Sequence, residues 1–270
     1  MIRLATAFVL LPVIYFTLRD APFWVFFVGS VGAILRACWE CYGVLENDGS
    51  RPFKALGLIG CAALTWSFTG MDPHFTESLP LAAVAILASI LSMTRRERPK
   101  QMFDALVSTL FPLLFVGLTL SHIIALRLVP SGLGVGLVLF LLGTLAAGDS
   151  SAYYIGSTFG KRPLAPSISP KKSWEGAIGG AVGGILGALI GRLWFVRELP
   201  LEHAVVLGAI LGLCGILGDL SASVIKRATN AKDFSNLLPG HGGMLDRMDS
   251  ILFGAPTLYY YYLAFVEGGI

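Results

Sequence analysis

Charged residues are scarce in this chain. Only 14% of the 270 residues are charged, against 55% apolar, and the mean hydropathy is +0.73. A water-soluble domain could not bury that much apolar surface, so the composition excludes this class and indicates a polytopic membrane protein. No basic segment is interleaved with aromatic residues, the pattern typical of nucleic-acid binding, so no nucleic-acid partner is expected.

Cysteine is also sparse. Cys38 and Cys41 form a C-x-x-C, but they lie in a predicted helix with no second pair and no histidine nearby. We therefore interpret the cysteines as small buried side chains rather than metal ligands. All four lie in apolar stretches: Cys38, Cys41, Cys61 and Cys214.

Long apolar runs predict about nine membrane spans in an all-α, polytopic transmembrane helical bundle. The runs are compared with the ~20 apolar residues that a bilayer requires. The first span follows Arg3 without a small-x-small cleavage site, so we expect an uncleaved anchor. The predicted spans are 2–18, 22–46, 55–70, 79–94, 103–128, 132–158, 175–196, 203–225 and 249–266.

The distribution of lysine and arginine predicts the orientation. Fifteen of the 20 fall on one side of the predicted spans and four on the other, with Arg36 inside a span. The positive-inside rule then places the N-terminus and the basic loops in the cytoplasm. An odd number of spans places the acidic tail around Glu267 outside. We expect a multi-pass protein of the plasma (inner) membrane, with membrane lipids as neighbours.

Charge concentrates in one segment between two apolar stretches. From Ser223 to Asp249 it reads S-x-x-K-R-x-x-x-x-K-D-x-S-x-x-L-P-G-H-G-G-x-x-D-R-x-D. Charge beside hydrocarbon is costly, so such a concentration usually marks a site. Carboxylates, cations and a glycine-rich turn together suit a metal ion that holds polyphosphate. The carboxylates are Asp233, Asp246 and Asp249, and the cations are Lys226, Arg227, Lys232 and Arg247.

Asp219 lies in the apolar run before this segment. Three polar residues follow Asp219 at helical spacing: Ser223, Lys226 and Arg227. On a helix, all four side chains would lie on one face. Two interpretations stay open. Asp219 either binds a metal, with phosphate-binding cations nearer the cytoplasm, or forms a structural pair with Lys226.

The turn in the middle of the segment is rich in glycine. Pro239 and Gly240 end any helix, and Gly242 and Gly243 let the backbone approach a ligand closely. Successive backbone N–H groups in such a turn can form an anion nest. His241 has two open interpretations: it donates a hydrogen bond to a developing charge, or it caps the turn.

Two aspartates begin the last predicted helix. Asp246 and Asp249 are three residues apart, near the positive end of that helix. Together with Asp219 they would supply the oxygen ligands that Mg²⁺ prefers. Arg247, between them, either holds phosphate or pairs with an aspartate.

Polar residues also mark the region 148–176. Asp149 and Tyr153 are four apart on a predicted helix, and the following segment at 169–173 reads as a rigid basic lip. Lys171 and Lys172 in this lip either neutralise phosphates or are ordinary positive-inside charges.

Two further patterns point to structure rather than chemistry. Arg36 and Glu40, four apart in the second span, favour a structural pair or an interfacial anchor over a direct site role. Glycines repeat every three or four residues between Gly176 and Gly191, which predicts close packing of helix backbones in lipid.

These motifs resemble those of a known family. The segment 223–249 resembles, at every fixed position, the signature of phosphatidate cytidylyltransferases, also called CDP-diacylglycerol synthases. The stretches S-P-K-K-S-W-E-G at 169–176 and D-x-x-A-Y-x-x-G at 149–156 look like that family's other hallmarks, in the same order. The resemblance covers most of the second half, while the first half matches only in general character.

The resemblance implies transfer of CMP from CTP to phosphatidate, with Mg²⁺ required, in a polar cytoplasm-facing site. The residues divide the chain into N-terminal transmembrane helices at 1–130 and a more polar transmembrane region at 131–270, which the resemblance implies is catalytic. It leaves open whether a second, monovalent cation is bound and whether the chain forms a homodimer. The expected metal ligands are Asp219, Asp246 and Asp249, which with Lys226 are the expected catalytic residues. The expected substrate-binding residues are Ser223, Arg227, Lys232, His241, Gly242, Gly243, Arg247, Lys171, Lys172, Asp149 and Tyr153.

Two other functions compete with this one. A CTP-dependent lipid kinase, such as a polyprenol kinase, is the alternative enzyme, but the complete P-G-H-G-G-x-x-D-R-x-D run argues against it. Intramembrane Asp149 and Asp219 among broken helices would also suit a transporter's ion site. The charged cluster, however, lies in one cytoplasmic-side segment, with no paired broken helices in two halves. The absence of a D-G-x-x-A-R motif argues against enzymes that consume CDP-diacylglycerol.

Overall fold

The structure is a computed structural model that describes residues 15–95, 97–129, 132–237 and 242–266. The chain divides into two compact units, which are described separately. The first comprises Met1–Ile124 and Ala228–Met248, and the second comprises Ala125–Arg227 and Asp249–Ile270. Most of the charged segment therefore folds with the N-terminal helices, although in sequence it lies between two parts of the second unit.

The first unit is built from helices whose apolar residues form its interior. Helices α1 and α2 run antiparallel: Lys54 pairs with Glu46 at one end, at 2.8 Å, and Trp24 stacks on Trp66 at the other. Pro112 has no N–H to continue the α-helical ladder, and a π-helical turn follows it. The helices are α1 (Phe23–Asn47), α2 (Lys54–Ser67), α3 (Ser78–Thr94), α4 (Pro99–Pro112), the π-helical Leu113–Leu118, and α5 (Thr119–Arg127), which ends in the second unit.

The second unit combines long helices with one short hairpin. Its elements are α6 (Gly134–Phe159), β1 (Pro163–Ala165), β2 (Ser169–Ser173), α7 (Trp174–Phe195), α8 (Leu201–Ala228) and α9 (Leu245–Phe265), whose first turn belongs to the first unit. The glycines of α7 allow its neighbours to approach closely. A Cβ at Gly183 would overlap Ser151 of α6, and one at Gly184 would overlap the backbone of Gly208 in α8. The predicted packing role of these glycines is confirmed.

The helices agree with the predicted spans to within a few residues from the second span to the ninth, while most of the first lies outside the described residues. Among the described residues, five helical segments are long and apolar enough to cross a membrane, and α3 is a shorter apolar helix. The chain is a helical multi-pass membrane protein. Nine spans and a cytoplasmic N-terminus stay predictions. The five segments are Phe23–Asn47, Pro99–Arg127, Gly134–Phe159, Trp174–Phe195 and Leu201–Ala228.

Candidate active site

A β-hairpin positions the two lysines of the second unit. Strands β1 and β2 pair antiparallel, so the predicted basic lip at 169–173 is the second strand of a hairpin. Ser173 ends the hairpin and caps α7, because its Oγ accepts the N–H of Gly176 at 3.1 Å. Glu175 accepts the backbone N–H of Lys161 at 3.0 Å and that of Arg162 at 3.2 Å. These contacts tie the hairpin to the start of α7.

Lys172 of the hairpin forms an ion pair with Asp219 of α8. Its Nζ lies 2.7 Å from Asp219 Oδ2 and donates to the carbonyl of Ile216 at 3.3 Å. Ser223, one turn after Asp219, donates to Asp219 Oδ1 at 3.4 Å. This ion pair with Lys172 was not predicted, and the structural pair between Asp219 and Lys226 that the sequence left open stays a prediction. Because the Asp219 side chain is 41% exposed, it stays accessible to a ligand.

Two more aspartates are joined through Ser250. The Oγ of Ser250 donates to Asp149 Oδ2 at 2.7 Å, and its backbone N–H donates to Asp249 Oδ1 at 2.8 Å. Asp219, Asp149 and Lys226 all lie close enough to Asp249 to interact with it electrostatically. Helices α6, α8 and α9 therefore bring three carboxylates to one region of the second unit. The sequence singled out the aspartates but not Ser250.

Two glycines of α8 allow this approach. A Cβ at Gly218 would overlap the backbone carbonyl of Asp249, and one at Gly215 would lie 2.9 Å from Asp149 Oδ1. At both positions a side chain would push α9 or α6 away. The absence of a side chain at these positions is therefore what lets the carboxylates gather.

The donor set of this carboxylate cluster (Asp149, Asp219 and Asp249) suits Mg²⁺. In neither unit do the described residues place three histidine, cysteine or acidic side chains together as a complete metal site. Mg²⁺, however, is usually bound through one or two carboxylates and completed by water and phosphate oxygens. Three carboxylates beside Lys172 and Lys226 also leave an excess of negative charge that a divalent cation would offset.

Other predicted residues of the second unit lie at its surface. Arg227 is exposed, and its Nε donates to the carbonyl of Ile168 between the two strands at 3.3 Å. Lys171 is exposed, and Tyr153 is 70% exposed with its ring against that of Tyr154. Their predicted contacts with substrate stay predictions.

In the first unit, Asp246 binds the chain on both described sides of the glycine-rich turn. Its buried Oδ2 accepts the backbone N–H of Phe234 and that of Gly243, each at 2.9 Å. Gly242 has φ +76°, a conformation that favours glycine, as the turn chemistry predicts. Asp246 thus has a structural function that the sequence did not suggest, and its role as a metal ligand stays a prediction.

Glu40 is a buried carboxylate that contacts the same segment. It accepts hydrogen bonds from Ser235 and from the backbone of Leu245. The predicted pair with Arg36 is confirmed at 3.2 Å, but the contacts with the charged segment were not predicted. A carboxylate inside an apolar span was the available signal.

The remaining predicted residues divide between the surface and the undescribed part of the chain. Lys232, Asp233 and Arg247 are exposed. His241, together with Pro239 and Gly240, lies outside the described residues.

Comparison with known proteins assigns the family. The model of the Cytidylyltransferase family matches residues 1–265, almost the whole chain. The chain belongs to the cytidylyltransferase family. It is therefore a nucleotidyl-transferring enzyme, as the resemblance implied.

Several curated relatives of this cytidylyltransferase are named phosphatidate cytidylyltransferase. The one from Pseudomonas aeruginosa is 35% identical over 263 residues, which cover 94% of each chain. The one from Bacillus subtilis is 33% identical over 208 residues, 76% of this chain and 77% of the relative. The one from Haemophilus influenzae is 41% identical over 133 residues, 48% of this chain and 46% of the relative.

Proposed function

We propose that this cytidylyltransferase transfers CMP from CTP to phosphatidate, which yields CDP-diacylglycerol and pyrophosphate. The observation that carries the proposal is the carboxylate cluster with its paired Lys172, in a unit of apolar helices that suit a lipid substrate. The names of the relatives support it, above all that of the Pseudomonas aeruginosa protein, which aligns over 94% of both chains.

The reaction is an attack of one phosphate on another. An oxygen of the phosphatidate phosphate forms a bond to the α-phosphorus of CTP. The bond from that phosphorus to the oxygen bridging the β-phosphorus breaks, and its electron pair leaves with pyrophosphate. The nucleophile is already an anion, so no strong general base is needed. The protein contributes by positioning the two phosphates and stabilising the developing charge.

Within the second unit, Asp219 and Asp249 are the proposed Mg²⁺ ligands, and their donor chemistry fits that ion. Mg²⁺ bound there would polarise phosphate oxygens and offset their charge. Lys172 orients Asp219 through their ion pair and also donates to the Ile216 carbonyl, and we assign the third N–H of its ammonium group to a substrate phosphate. Lys226, whose charge lies near Asp249, is assigned a phosphate as well.

Within the first unit, the glycine-rich turn is the proposed binding element for the phosphates of CTP. The backbone at Gly242 and the exposed Arg247 suit an anion, whereas the N–H of Gly243 already donates to Asp246 Oδ2. Asp246 as a third metal ligand, a monovalent cation and a homodimer remain hypotheses. We further propose that the site faces the cytoplasm, where CTP is found, as the lysine and arginine distribution predicts.

The position of the transferred label tests this function. Purified protein is incubated with phosphatidate, Mg²⁺ and CTP labelled at either the α- or the γ-phosphorus. We expect the α-label in the lipid fraction and the γ-label in pyrophosphate. Transfer of the γ-label to lipid would instead show a kinase and contradict the proposal. Omission of phosphatidate is the control, and it should leave both labels in the aqueous fraction.

A further inference from the structure

Glu40 is a carboxylate in the middle of an apolar helix. It lies in α1, and its side chain is only 1% exposed. Removing a carboxylate from water is costly unless hydrogen bonds and countercharge satisfy it. The contacts that satisfy Glu40 come from the charged segment as well as from its own helix.

Both oxygens of Glu40 are used. Oε2 accepts the backbone N–H of Leu245, the first residue of α9, at 2.9 Å. This N–H is one of the amides at a helix start that have no partner within the helix, and a carboxylate there also meets the positive end of the helix. Oε1 accepts the hydroxyl of Ser235 at 2.7 Å and lies 3.2 Å from Arg36 Nε.

Two carboxylates from different helices therefore accept hydrogen bonds from the same two short stretches of the chain, 234–235 and 243–245. Asp246 holds the amides of Phe234 and Gly243, and Glu40 holds their near neighbours Ser235 and Leu245. A Cβ at Gly243 would overlap the Glu40 carboxylate, so the backbone of the turn packs directly on it. The geometry of the described ends of the glycine-rich turn depends on Glu40.

We propose that Glu40 is a positioning residue for cytidylyl transfer. It fixes the chain on both described sides of the glycine-rich turn, at Ser235 and Leu245, and so positions the neighbouring Arg247 for the phosphates of CTP. Glu40 acts through Ser235 and Leu245 and does not touch the substrate. The inference rests on the proposed function and extends it to a residue about 200 positions away from the turn in sequence.

Three variants separate positioning from simple stability. Glu40→Ala removes both contacts and should lower kcat/KM for CTP by about 30-fold, the loss expected for a charge-assisted hydrogen bond. The KM for phosphatidate should stay unchanged. Glu40→Gln should restore most of the rate, because its amide oxygen can accept from Leu245 and its NH₂ can donate to Ser235. The matched control is Glu46→Ala, which removes an exposed carboxylate of the same helix that pairs with Lys54 and should leave both constants near wild type.

Hydrogen–deuterium exchange tests the contact independently of activity. In Glu40→Ala, a peptide covering 232–247 should exchange about tenfold faster than in wild type, while peptides of α3 stay protected. Glu46→Ala should leave both regions unchanged. Ser235→Ala is a milder change, because it keeps the carboxylate. It should also lower kcat/KM for CTP, by a smaller factor, and leave the KM for phosphatidate unchanged.

Each outcome bears on the inference. Unchanged protection of 232–247 in Glu40→Ala would overturn it whatever the activity. Faster exchange without a loss in kcat/KM for CTP would overturn the link to turnover, as would equal losses for the two substrates. Wild-type protein that forms no CDP-lipid would overturn the proposed function, and with it the catalytic part of this inference, while the exchange result would still decide the structural part.

Discussion

Replacing Lys172 by methionine tests the electrostatics of the cluster most sharply. The Nζ–Oδ2 distance to Asp219 is 2.7 Å, and the two side chains are 21% and 41% exposed. At an effective dielectric constant near 20, two unit charges at that distance attract by about 6 kcal/mol. Desolvation and the exposure of Asp219 reduce this to about 2–3 kcal/mol, the range of a charge-assisted hydrogen bond. If the same ammonium group serves the transition state, kcat/KM should fall by about 30- to 150-fold.

The assay is the initial rate of CDP-lipid formation in detergent micelles, with CTP and phosphatidate varied separately. Methionine keeps the length and the apolar stem of lysine, so packing at β2 should survive. The control is Lys161→Met, at an exposed position just before the same hairpin. The contact of Lys161 with Glu175 is made by its backbone N–H and should survive the substitution. A kcat/KM for Lys172→Met within about threefold of wild type would refute the assigned role, because that loss is under 1 kcal/mol.

Three further predictions concern the metal, the packing and the topology. Asp249→Ala should abolish nearly all CMP transfer, and retention of about a third of the wild-type rate in saturating Mg²⁺ would exclude Asp249 as a metal ligand. Chelation of divalent cations should abolish the activity of the wild-type protein, and added Mg²⁺ should restore it. Gly218→Ala should lower the melting temperature through a clash worth about 1–3 kcal/mol, whereas Gly143→Ala, with nothing within 4 Å, should not; equal melting temperatures would refute the close approach. In a cysteine-free background, Ala165→Cys should be labelled only from the cytoplasm and Phe75→Cys only from outside, and the reverse pattern would invert the proposed topology.

The helices could be predicted from the sequence because long apolar runs leave few alternatives in a membrane. The helix ends differ from the predicted span ends by only a few residues, as at α1 and α6. The hairpin at 163–173 was not predicted. Its strands are three and five residues long and rich in proline and lysine, so they carry no clear period-two pattern.

The sequence indicates which side chains belong to the site, but it does not indicate which residues they contact. Helical spacing places Asp219 and Lys226 on one face, yet Asp219 pairs with Lys172, which a separate hairpin brings to it. Glu40 meets residues 195 and 205 positions away. Periodicity within a helix indicates which face is polar, and it does not indicate which distant segment that face meets.

Whether the protein forms CDP-diacylglycerol is decided by analysing the lipid and aqueous products that the purified protein makes from unlabelled CTP, phosphatidate and Mg²⁺. We expect CDP-diacylglycerol and pyrophosphate in equal amounts, both dependent on phosphatidate and both strongly reduced in Asp249→Ala. Consumption of CTP without a CDP-lipid would contradict the proposed reaction, and CDP-lipid formation that Asp249→Ala leaves intact would contradict the proposed site.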